Sequence, residues 1–180
     1  MLVAQHEIQM GDILVFKRKG FVSGILGPIL KLFKKKWDGW GWHMGIAWEE
    51  SRHANGLWIL EATSDGVRVG LLSEDKLKNE IRAYRWLDAP PSDEAMEKFM
   101  ADNLDKGYDI VVYFWTLIQR GLLRVIKRSI PRILNNKYTC WELAFLFARE
   151  MNKPIRSILD YPLLTDFLEA VQEQEAAQSE

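Results

Sequence analysis

A chain of 180 residues, 48% apolar and 27% charged, has enough apolar surface for one compact domain and too little length for two of ordinary size. A formal charge of -1 excludes a global electrostatic pull toward nucleic acid, so no such partner is expected. The single cysteine, Cys140, excludes an internal disulfide and any multi-cysteine zinc motif, so packing must hold the fold, as suits a reducing compartment.

The opening segment "MLVAQHEIQMGDILVF" lacks the basic region, long apolar run and small-residue cleavage site of a secretory signal, and a cytoplasmic location is expected. Within it "GDILVF" predicts a strand from Asp12 to Lys17. The next stretch, Lys17 to Trp37, is basic and apolar without an acidic residue. Arg120 to Lys137 has the same character. Each suits either a helix packed on the core with solvated lysines or an element in peripheral contact with an anionic membrane. The most apolar runs, "FVSGILGPILKLF" and "DIVVYFWTLI", fall short of the roughly 20 residues that span a bilayer.

"HMGIAW" and "LWILEA" predict two strands of a hairpin around "EESRHANG". The Asp65-Gly66 turn signal leads into a further strand, "VRVGLL", and Ile81 to Leu87 supplies a fifth. After "DAPPSD", helical spacing governs "DEAMEKFMADNL", the stretch after Tyr108, and Cys140 to Met151. The expectation is an α+β domain over residues 1–168, with helices covering an antiparallel sheet or open barrel of about five strands. Residues 169–180, acidic and Gln-rich, read as a frayed or disordered tail.

Chemistry concentrates at Cys140. Thr139 and Glu142 frame it as T-x-x-E, a capping box, which makes Cys140 the first residue of a helix. There the backbone N–H groups lack intrahelical partners and the helix dipole favours an anion, here a thiolate or a developing oxyanion. Three histidines could partner it. His6 and His53 fall in polar segments expected to be solvated, whereas His43, beside Trp42, opens a strand. Glu61 can orient an imidazole and stabilise its charged form. Pairing Gly56 with Trp48 would set Glu61 opposite His43, on the face carrying Gly45, Ala47, Leu57 and Ile59; a slip of one residue would separate them. The small stripe Cys140, Ala144 and Ala148 could then pack over Gly45 and Ala47. The same stripe also suits plain core packing, so the cysteine remains either a nucleophile or a small core residue at this stage.

"GDILVF", "WHMGIA", "LEATSDGV", "KGYD" and "YTCWELA", in that order, resemble the circularly permuted papain-like hydrolases of the NlpC kind. The YiiX-like branch is the nearer likeness, and lecithin:retinol acyltransferase the more distant one. The resemblance runs from Gly11 to about Pro154. It implies a permuted papain-like fold in which Cys140 is the nucleophile, His43 the base and Glu61 the orienting group, with no cofactor and no metal. Tyr138, Trp141 and Trp42 are expected to line the site, Trp141 standing where a small polar residue would be usual. The implied activity is that of a cysteine peptidase or amidase acting through a thioester, cell-wall-type peptides among the candidate substrates. A lipid or thioester acyl hydrolase or acyltransferase at a membrane surface is the second reading, and a non-catalytic membrane or assembly module the third.

Overall fold

The computed structural model describes residues 1–17, 40–49, 56–73, 80–109, 137–155 and 164–178. Among them, β1 (Leu2–Val3), β2 (Ile13–Lys17), β3 (Trp40–Glu49), β4 (Gly56–Thr63), β5 (Gly66–Ser73) and β6 (Ile81–Tyr84) form one open antiparallel sheet. Its strand order is β1-β6-β2-β3-β4-β5. The sheet thus has six strands where five were expected. β1, two residues long, carries no periodic pattern and exists by pairing Leu2 with Tyr84 and Val3 with Ala83. A separate parallel pair joins β7 (Gly107–Tyr108) to β8 (Lys137–Tyr138).

Among the described residues, three helices follow the sheet: α1 (Asp93–Asn103), α2 (Cys140–Glu150) and α3 (Leu164–Gln178). α1 begins where the sequence predicts, after the two prolines, with the Ser92 hydroxyl accepting the Ala95 N–H at 3.2 Å. The helix expected after Tyr108 and both basic apolar stretches lie outside the described residues apart from their end residues, as does His53. α3 continues through Gln178, and its residues Phe167 and Val171, four apart on one face, are both buried in the core. The Phe167 ring meets Tyr84 edge-on at 5.6 Å between centroids.

Strand alternation divides the apolar side chains between the two faces of the sheet. One face presents Ile13, Val15, Met44, Ile46 and Leu60 to Phe99 of α1, Leu143 and Phe147 of α2, and Phe167 of α3. Each fully buried side chain of this size contributes about 1.5–3 kcal/mol relative to exposure. The other face carries Leu14, Ala47, Leu57, Ile59 and Leu72 in a second buried cluster. At the sheet margin Asp12, 2% exposed, accepts from Nε and Nη2 of Arg85 at 3.1 and 3.0 Å, so its buried charge is paired.

Two ladders fix the site. In β4–β5, Thr63 pairs with Gly66, whose φ of +110° suits glycine, and counting outward from this turn sets Glu61 opposite Arg68. In β3–β4, Glu61 pairs with Gly45 rather than His43, and Ile59 with Ala47. The expected register is therefore wrong by two residues. An irregularity between Ala47 and Glu49 disrupts the count from the loop end, but a shift of two keeps Glu61 on the face of His43.

Candidate active site

α2 starts as the sequence predicts. The Thr139 hydroxyl accepts the Glu142 N–H at 3.3 Å, and the Glu142 carboxylate accepts the Thr139 N–H at 2.8 Å and its hydroxyl at 3.0 Å. Both partners are buried, so the box fixes where the helix begins and hence where Cys140 stands. It also commits Glu142, which faces its own cap. Replacing Thr139 with alanine removes the cap and leaves that carboxylate short of a donor. We expect a loss of about 1–2 kcal/mol in urea unfolding, with Cys140 reactivity reduced in the folded protein.

His43 and Glu61 meet at 2.7 Å, Nε2 to Oε2. The contact is diagonal across the ladder, which a long side chain can span. It is eased because the residue directly opposite Glu61 is Gly45, with no side chain in the way. On the other side of β4, Nε and Nη2 of Arg68 donate to Oε1 of Glu61 at 3.2 and 3.1 Å. The Phe16 ring, paired across from His43, stacks obliquely against the imidazole at 5.0 Å.

Cys140, at the start of α2, is close enough to His43 to act on the charge of its ring. Its helix nevertheless packs elsewhere than expected. Cys140, Ala144 and Ala148 join the layer of Met44, Ile46 and Leu60, not one over Gly45 and Ala47, because large side chains on that face fill the space above a small stripe. The β3–β4 ladder ends at the Gly45–Glu61 pair although both strands run further. His43 and Glu61 stand at this parting, where a residue from the helical layer can approach the imidazole.

The charges fit together. Burial, the strongest influence on His43, disfavours the imidazolium. The charge and hydrogen bond of Cys140, with those of Glu61, outweigh it and raise the pKa from 6.5 to about 10. For Glu61, burial again works against the charge, but His43 and then Arg68 hold its carboxyl below the usual 4.5. The sign of the pH dependence follows. A raised histidine pKa adds stability that is whole below about pH 6.5 and lost as pH climbs to about 10, whereas a lowered carboxyl pKa adds stability present above 4.5 and lost in acid. The stability difference between the parent and His43→Ala should therefore be greatest between these limits and shrink toward pH 10. Urea unfolding across pH measures it, and a difference flat with pH would reject the charged pair.

The other expected residues are placed as follows. Tyr138, half-buried in β8, has its hydroxyl 3.3 Å from Nζ of Lys106, which also sits 5.2 Å from the ring centre. Trp141 is buried in the main core. Trp42 belongs to β3, immediately before His43. His6, in a short 3-10 turn (Gln5–Glu7), is exposed. Arg68 escaped the sequence reading, although the Asp65-Gly66 turn would have revealed it by counting. Among the described residues no three of His, Cys, Asp or Glu group to hold a metal, and no helix is long and apolar enough to cross a membrane. Neither a protein-family model nor a curated protein matches the sequence.

Proposed function

We propose that the protein is a cysteine hydrolase of amide bonds working through a thioester acyl-enzyme, in a permuted papain-like fold of the NlpC kind. The observation that carries the reading is His43 hydrogen-bonded to the Glu61 carboxylate and coupled to a cysteine at a helix start. Glu61 occupies Nε2, which leaves Nδ1 to take the thiol proton. The thiolate sulfur attacks the substrate carbonyl, and the oxyanion that forms is met by the backbone N–H of Cys140 at the positive end of α2. The imidazolium then returns its proton to the departing amine as the carbon–nitrogen bond breaks. Water, deprotonated by the neutral ring, attacks the thioester and frees the acid and the thiol. An acceptor other than water would make the same site an acyltransferase.

A peptide or acyl chain is the substrate class this chemistry serves, with cell-wall-type peptides one candidate. The burial of Cys140, 1% exposed, favours a rival reading in which the thiol is core and the chain is a binding module. Incubating the native protein with an activated acyl ester separates the two. A hydroxylamine-sensitive adduct on Cys140, found by intact mass and peptide mapping, supports the hydrolase. A thiol that reacts only after denaturation supports the module.

A further inference from the structure

Arg68 stands beside the proposed triad. Its Nε and Nη2 both donate to the one oxygen of Glu61 that His43 does not use. From this arrangement we infer that Arg68 is a positioning residue. By holding Oε1 with two N–H groups, it turns Oε2 toward Nε2 of His43. The inference rests on the triad reading above and adds a fourth member to it.

Three independent features support the role. The β4–β5 register sets Arg68 directly across from Glu61, so the contact is built into the ladder next to the tight turn. Gly70, two residues further along β5, leaves the space that Oε1 occupies, since a Cβ there would come within 3.3 Å of that oxygen. On its outer side, Nη1 of Arg68 lies 3.8 Å from Oδ2 of Asp65 in the turn, so the guanidinium is drawn from both ends. The titratable and charged groups gathered here are Cys140 from α2, His43 from β3, Glu61 from β4, Arg68 from β5 and Asp65 from the turn. Without Arg68, Glu61 would lose the donors that hold its orientation and a cation that keeps it ionised. The side chain is 53% exposed, so solvent screens the interaction and the effect is moderate.

The test is the rate of Cys140 alkylation by iodoacetamide from pH 4.5 to 8, followed by intact mass, in the parent, Arg68→Ala, Arg68→Lys and Glu61→Gln. Arg68→Ala should react about 3- to 10-fold more slowly at pH 6, with its acid limb moved to higher pH. Arg68→Lys keeps the charge but loses the planar pair of donors, and should fall between. The inference is overturned if Arg68→Ala matches the parent, or reacts more slowly with its acid limb unmoved, as a merely structural residue would. Should the alanine variant fail to fold, the lysine variant decides by the same two readings. If Glu61→Gln also matches the parent, the triad itself is wrong; if only Arg68→Ala does, the triad stands without its fourth member.

Discussion

Replacing Cys140 with alanine is expected to leave a folded protein that forms no acyl adduct and hydrolyses at a rate lower by roughly 10,000-fold or more, as losses of a nucleophile do elsewhere. The fold should survive because alanine is a good residue for a first helical turn and the capping box of Thr139 and Glu142 is untouched. Only a sulfur-sized void opens in the core, which costs about 1 kcal/mol. Thermal unfolding and intact mass after exposure to an activated ester measure the two quantities separately. An adduct that persists on the alanine variant would place the nucleophile elsewhere.

For His43→Ala the expected loss is about 100- to 10,000-fold in turnover, since one ring serves as base, as acid and as the counter-charge of the thiolate. The direct readout is alkylation of Cys140 at pH 6. On the proposed reading the parent should react at least about 10-fold faster than the variant, because an imidazolium beside a cysteine favours its thiolate and only the parent has that ring. Removing this ring also strands Glu61, buried with one oxygen unpaired, so part of the damage will be to stability. Measuring alkylation below the unfolding transition keeps these effects apart. Equal rates in the two proteins would mean that His43 does not act on the thiol.

The start of α2 was legible because it depends on neighbours in sequence. Thr139, Glu142 and the run "LAFLF" specify it locally, and the structure starts α2 at Cys140. The strand face of His43 and Glu61 was legible for a different reason, since parity survives a slip of two residues. Their exact pairing was not, because the irregularity beside Trp48 changes the count from the loop end. β1 and the burial of α3 depend on distant partners, Tyr84 in both cases, which no local pattern announces. The seat of the stripe Cys140, Ala144 and Ala148 was misread on the same account: small residues were matched to small residues, whereas the packed layer matches them to Met44 and Ile46.

The parting of β3 from β4 has a consequence for how the proposed site would assemble. His43, Glu61 and Arg68 lie on three neighbouring strands, so their charges meet through contacts of short sequence separation. Cys140 comes from far along the chain and joins them only when α2 docks. Closing so long a loop is slow relative to forming adjacent strand pairs. On the proposed reading, assembly itself then acts as a safety catch: a nascent or refolding chain holds a base without a nucleophile and an ordinary thiol without a base. Pulses of alkylating agent during refolding, compared between the parent and His43→Ala, would show thiol activation arriving last, and early activation would refute it.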